Sequence, residues 1–124
     1  MEKKRILIAC SCLDYMLINK ILGGFCSLDK AENREEIIRF GNQSHYDLLL
    51  IDIAFLKPDF EILKTIKKEG IPVVALSPEP FDARNKKMME AGCCACYVKP
   101  IRTDLFAAFI SFWIQEYSEK GKEA

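Results

Sequence analysis

The chain has 124 residues, half of them hydrophobic, and its 18 acidic and 18 basic side chains cancel. That is one domain with enough apolar material for a core, and the charge balance excludes a basic surface built for nucleic acid or an anionic membrane. The apolar run Ile6–Ala9 is too short for a signal peptide, and Leu105 to Ile114, broken by Ser111, falls short of the ~20 residues of a membrane span, so a cytoplasmic protein is expected.

Short apolar runs alternate with amphipathic stretches along the whole chain. Ile6–Ala9 reads as a strand, followed by a helix from about Asp14, as N-cap, to Leu22, with Gly23-Gly24 as the stop. Phe25–Leu28 is a weak second strand, and Arg34 to Phe40 a short helix closed by Gly41-Asn42. Leu48–Asp52 is continuously apolar before its aspartate, as strands covered on both faces are. Phe60 to Lys68 is helical with Ile62, Leu63 and Ile66 inward, and Pro72–Ser77 is the fourth strand. A helix from about Phe81 to Glu90, a fifth strand at Cys94–Val98 and a last helix from Arg102 to about Tyr117 complete the pattern. Five such repeats predict a doubly wound (βα)5 domain over residues 1–118, because parallel neighbours need helical crossovers. Residues 119–124 read as a solvated tail.

Six cysteines raise the question of a disulfide or zinc framework. Reducing cytosol argues against disulfides. Cys10 and Cys12 belong to the outgoing end of the first strand, whereas Cys93, Cys94 and Cys96 belong to the incoming end of the fifth. A strand of ordinary length spans ~17 Å, against zinc–sulfur bonds of ~2.3 Å, so the two groups cannot share a metal. Small, reduced packing residues are expected.

Asp52, Ser77 and Lys99 each end an apolar strand. In a parallel sheet these ends converge at one edge, where open α/β folds place their ligands. The first strand ends at the same edge, and there the chain reads Cys10-Ser11. His45, the sole histidine, stands in a polar turn and carries no expected role.

In this register the chain resembles the receiver domain of two-component response regulators over essentially its whole length. Ala31 to Ile37 is similar to the family's second strand-to-helix junction, and Tyr46 to Ile53 to its phosphoacceptor strand. Ile71 to Ser77 resembles the strand carrying the switch hydroxyl, and Ala91-Gly92 through Lys99-Pro100-Ile101 the lysine–proline motif. The resemblance implies a flavodoxin-like three-layer sandwich with strand order 2-1-3-4-5. It makes Asp52 the phosphoacceptor position, Ser77 the hydroxyl that moves to the phosphoryl group, Lys99 its ammonium partner, and the bond before Pro100 a candidate cis peptide. It also implies magnesium held by Asp52, the Ala54 carbonyl and an acidic pair. Cys10 and Ser11 stand where that pair belongs, so magnesium is expected to be weak or absent and phosphorylation weak or lost. Three further departures concern mechanics. The loop Phe55 to Phe60 is one residue short and lacks a glycine, the family's aromatic position falls on Cys96 with the ring at Tyr97, and Pro78 follows Ser77 at once.

On the last helix the large apolar residues cover roughly 200°, against ~100° for a core-facing stripe. Phe106, Phe109, Ile110, Trp113 and Tyr117 are the expected interface residues. The resulting expectation is a non-enzymatic interaction module. Its partners are a histidine kinase or phosphotransfer protein, a downstream signalling protein, or a second copy through the last helix. The alternative is a phosphocysteine-type phosphotransfer subunit using Cys10, although Leu13, Asp14, Tyr15 and Met16 supply a poor loop for a dianion.

Overall fold

The computed structural model describes residues 3–56, 62–65, 71–78, 90 and 92–123, without the side chains of 64, 65 and 117–123. Its centre is a five-stranded parallel sheet of β1 (Lys4–Ala9), β2 (Cys26–Lys30), β3 (Leu48–Asp52), β4 (Val73–Ser77) and β5 (Ala95–Val98). The strand order is β2-β1-β3-β4-β5, the doubly wound order expected. Four helices are described: α1 (Cys12–Leu22), α2 (Arg34–Gln43), α3 (Ile62–Thr65) and α4 (Thr103–Glu123), with a 3-10 turn at Ile53–Phe55 after β3. The helix expected from Phe81 lies outside the described residues apart from Glu90, which is helical. Lys57 to Phe60 also lie outside them, and with them most of the shortened loop. Among the described residues no helix is long and apolar enough to cross a membrane.

Alternation along the strands divides the core into two layers. Leu7, Ala9, Leu49, Ile51 and Ala75 pack with Ile37 of α2 and Ile62 and Leu63 of α3. Ile6, Ile8, Leu48, Leu50, Val74 and Leu76 pack on the other face with Ile18 and Leu22 of α1 and Phe106, Ile110 and Ile114 of α4. All five residues of the central β3 are buried. The edge strand β2 carries Ser27, Asp29 and Lys30 instead, which suits an edge that no further strand covers. Arg5 ties β1 to β2 and to the residue that precedes β3. Its backbone N–H donates to Asp47 Oδ2 at 2.8 Å, and its guanidinium meets Asp29 Oδ2 at 3.0 Å. The Tyr46 hydroxyl donates to that same Asp29 oxygen at 2.8 Å.

Several boundaries differ from the sequence reading for identifiable reasons. Helix α1 begins at Cys12 because Ser11, with extended backbone, accepts the Asp14 N–H and is the N-cap in place of Asp14. Gly23 does end α1, but its φ of −62° is ordinary helical backbone. What demands glycine there is space, since a Cβ would lie 2.5 Å from the Asn19 carbonyl oxygen. Gly41 and Asn42 continue α2 instead of closing it, and α2 ends at Gln43. The last helix runs on to Glu123, beyond the Tyr117 expected, so the backbone of 119–123 is helical.

The face of α4 also needs correction. Phe106 and Ile110, expected at an outward interface, are fully buried against the sheet and belong to the domain's own core. Phe109 and Trp113 are half-buried, and the Tyr117 side chain lies outside the described residues. The apolar residues that face outward are Leu105 and Phe112, 61% and 54% exposed. Phe106→Ala is therefore expected to cost ~3–5 kcal/mol of folding free energy, the range for a buried aromatic. Phe112→Ala should stay within about 1 kcal/mol, as exposed truncations usually do. Urea unfolding of both variants checks the split.

Candidate functional site

The C-terminal edge of the sheet gathers the predicted residues. In the parallel register Asp52 lies opposite Leu76, and Ser77 opposite Val98, so the ends of β3, β4 and β5 stand side by side. Asp52 and Ser77 are the two buried polar residues of the described core, 8% and 2% exposed. The Lys99 N–H donates to the Ser77 carbonyl at 2.8 Å, which fixes the residue just beyond β5 against β4. The Lys99–Pro100 peptide is cis.

Lys99 is the centre of the site. Its Nζ lies 2.6 Å from Asp52 Oδ2 and equally 2.6 Å from Asp14 Oδ2. The second Asp52 oxygen, Oδ1, accepts the Ala54 N–H at 3.0 Å, so the carboxylate also caps the 3-10 turn that follows it. Burial pulls the Lys99 ammonium down, but its hydrogen bonds to Asp14 and Asp52 outweigh burial and hold it above its ordinary value of 10.5. The lysine is therefore charged at neutral pH, and it is the counter-ion of both carboxylates.

The sequence puts Asp14 on the first turn of the helix near the metal-site positions, where a cap is the expected role and a contact to Lys99 is not foreseen. A signal was present. Asp14 stands three residues after Ser11, the spacing of a capping box, in which the acidic side chain turns back to the cap's own N–H. Here its Oδ2 lies on a lysine from the other side of the sheet edge, a contact that no local spacing encodes.

Cys10 and Ser11 occupy the remaining strand end and differ sharply. The Cys10 thiol is buried, and burial first, then the Asp14 and Asp52 charges, push it up to about 12. A thiol in that range is protonated at neutral pH, and the thiolate is the nucleophilic form. The site thus gives no support to a phosphocysteine. Ser11 is exposed and engaged as the cap. Exposed Cys12 accepts a hydrogen bond from Lys30 Nζ at 3.2 Å, and all six cysteines are free. His45 is a surface residue whose Nε2 lies 3.8 Å from Asp47 Oδ1.

The ring at Tyr97 lies on the face opposite Cys96, as the one-residue slip requires. Tyr97 packs edge-on against Phe106 and Phe109, at 5.0 and 5.2 Å between centroids, and its hydroxyl oxygen accepts the Arg102 N–H at 3.3 Å. It is a packing residue beneath α4.

No protein-family model matches the chain. The transcriptional regulatory protein ResD of Bacillus subtilis (strain 168) is 33% identical over 76 residues, which cover 60% of this chain and 32% of that protein. Among solved structures, the receiver domain of a sensor histidine kinase from Pseudomonas aeruginosa PAO1, with magnesium coordinated in its active site cleft, matches with a TM-score of 0.80. Its identity is 16%, covering 92% of this chain and 99% of that one. A response regulator receiver domain from Methanospirillum hungatei JF-1 matches with a TM-score of 0.81 at 19% identity, covering 96% and 99%. A response regulator from Thermotoga maritima gives 0.81 at 18% identity, covering 92% and 99%. These structures show the shared fold, and with the sequence match they support a receiver domain of the response-regulator type.

The Lys99 cluster has a consequence for stability. Because the folded-state pKa of Lys99 is raised, its contribution is full below the unfolded value of 10.5 and is lost as pH rises through the folded value. The stability difference between the wild type and Lys99→Met, measured by urea unfolding across a pH series, should be constant around neutrality and shrink only above 10.5.

Proposed function

We propose that this receiver-type domain is a signalling module that works by binding partners, with Asp52 as a phosphoacceptor that reacts slowly or not at all. The observation that carries the reading is the Lys99 ammonium, 2.6 Å from the Asp52 carboxylate, at an edge where Ser77 ends the neighbouring strand. Phosphoryl transfer needs a carboxylate nucleophile and a cation for the charge on the transferring oxygens. In the transfer, a carboxylate oxygen of Asp52 forms the bond to phosphorus as the donor's bond to phosphorus breaks. With acetyl phosphate the leaving group is acetate. On this reading Lys99 neutralises the new oxyanions and the Ser77 hydroxyl donates a hydrogen bond to them.

Magnesium fits this donor set poorly on the same reading. The ion takes oxygen ligands, carboxylates above all. Cys10 offers a buried thiol held at about 12, and the Ser11 hydroxyl already accepts the Asp14 N–H at 3.2 Å. Both nearby carboxylates hold Lys99. Among the described residues, no group of three His, Cys, Asp or Glu side chains could hold a metal ion. Lys99 supplies the positive charge that a divalent ion would otherwise bring.

Partner binding is supported by apolar surface in two places. Leu105 and Phe112 stand outward on α4 beside half-buried Phe109 and Trp113, and the Phe112 and Trp113 rings pack edge-on at 5.2 Å. Leu13, Met16 and Leu17 are exposed on α1, whose first turn borders the acceptor edge. A phosphodonor protein covering Asp52 would rest on the α1 patch, and a downstream protein or a second copy would use the α4 patch. The relative ResD is a transcriptional regulatory protein, and this chain spans 32% of its length.

Two experiments bear on these statements. Acetyl phosphate should label the protein slowly and to a similar extent with and without magnesium, and the label should vanish in Asp52→Asn. Label that survives Asp52→Asn and disappears in Cys10→Ser would establish the phosphocysteine route instead. Rapid stoichiometric labelling that depends on magnesium would show a working metal site. For the α4 patch, Leu105→Ala with Phe112→Ala should weaken self-association in sedimentation velocity, or capture of a partner, while leaving the thermal melt nearly unchanged. Exposed aromatic anchors typically contribute ~2 kcal/mol or more to binding when they become buried at an interface.

A further inference from the structure

Asp14 has no place among the residues that the receiver resemblance brings to this edge, yet it makes one of the two closest side-chain contacts there. The first turn of α1 fixes its position, with Ser11 accepting its N–H at 3.2 Å. Its partner is fixed as firmly. The Lys99 backbone is tied to the Ser77 carbonyl at 2.8 Å, and the lysine side chain ends between Asp14 Oδ2 and Asp52 Oδ2, 2.6 Å from each. The two carboxylate oxygens are therefore no farther apart than twice that distance. Asp52 is held from its other side by the Ala54 N–H. Among the described residues, Cys10 feels the charges of Asp14, Asp52, Lys99 and Lys30, and its thiol is neutral.

We propose that Asp14 is a positioning residue that gates Lys99. It holds the ammonium between two carboxylates, so an incoming phosphoryl oxygen gains the cation only by displacing Asp14. The gate also acts through charge. A phosphoryl group on Asp52 would lie beside the Asp14 carboxylate, and like charges at that separation disfavour one another. The contact is partly open to water, with a quarter of the Lys99 side chain and 23% of the Asp14 side chain exposed, which makes it a latch that a ligand or partner can open. The consequence for phosphorylation rests on the reading of Asp52 as acceptor, whereas the hold on Lys99 does not.

The test uses the full chain as wild type, Asp14→Asn, Asp14→Ala and Asp14→Glu. Asparagine keeps the shape of the side chain and leaves the Ser11 cap in place, and alanine guards against a residual amide contact. Acylation of lysines by a small amine-reactive ester is followed over a pH series by peptide mass spectrometry. Lys99 in Asp14→Asn and Asp14→Ala should react several-fold faster than in the wild type, with its profile moved to lower pH. Asp14→Glu should return it toward the wild-type profile, and exposed Lys20 in the last turn of α1 should be unchanged throughout. In parallel, acetyl phosphate labelling at Asp52 should rise in Asp14→Asn. A wild-type Lys99 profile in both neutral variants overturns the gate, as does a fall in Asp52 labelling on removing the Asp14 charge. If no variant is labelled at Asp52, the acceptor reading fails, and the Lys99 profile by itself decides the gate.

Discussion

Two carboxylates share one ammonium at the C-terminal edge of the sheet, and the surrounding structure is arranged to make that sharing stable. Asp52 and Asp14 come from β3 and the first turn of α1, and Lys99 from the turn after β5. Without Lys99, two like charges would face each other beside the buried Cys10 thiol, where desolvation favours neutral groups. With it, the edge is a compact ion triad carrying a single net negative charge. The parallel register places the three strands, and the hydrogen bond from the Lys99 N–H to the Ser77 carbonyl holds the last of them. The site is thus built by strand pairing first and by side-chain charge second.

The same triad explains how the chain accommodates Cys10 and Ser11 at this edge. A thiol at the end of a central strand suits a buried position, and Cys10 is nine-tenths or more inside the core, packed with the α1 and α4 layer. Ser11 turns to the helix and caps it. Neither residue therefore contributes charge to the site, and the cation beside Asp52 is Lys99. Such an arrangement leaves the Asp52 carboxylate paired with a cation from within the chain. Away from this edge, the exposed apolar surface includes part of α4.

That surface is divided between core and exterior more sharply than a helical wheel suggests. Along α4, Phe106, Ile110 and Ile114 enter the sheet layer, Phe109 and Trp113 lie at the margin against Tyr97 and one another, and Leu105 and Phe112 stand clear. Tyr97, displaced by one residue from the position the resemblance leads one to expect, fills the space under α4. Its packing ties the end of β5 to the margin of the apolar patch. The Asp52 edge and the α4 patch therefore meet at the C-terminal end of β5, where Lys99 follows the strand and the Tyr97 ring lies beneath α4.

Much of this was legible in the sequence. Runs such as Leu48–Ile51 and Val73–Leu76 are apolar without alternation, which only a strand covered on both faces requires, and their spacing dictates helical crossovers and a parallel sheet. Once the strands are placed, Asp52, Ser77 and Lys99 must share an edge, and the structure brings them there. The sequence could not say which way a side chain turns when two partners compete for it. Asp14 had a local role open to it at the start of a helix, and only the packing of α1 against the sheet put Lys99 within reach. Ser11 took the cap, which released Asp14 for the longer contact. The same limit applies to α4, where an apolar arc gives the amount of hydrophobic surface but not its orientation. Burial of Phe106 and exposure of Phe112 follow from how α4 packs on the sheet face it shares with α1, and that is set by tertiary contacts between residues far apart in the chain.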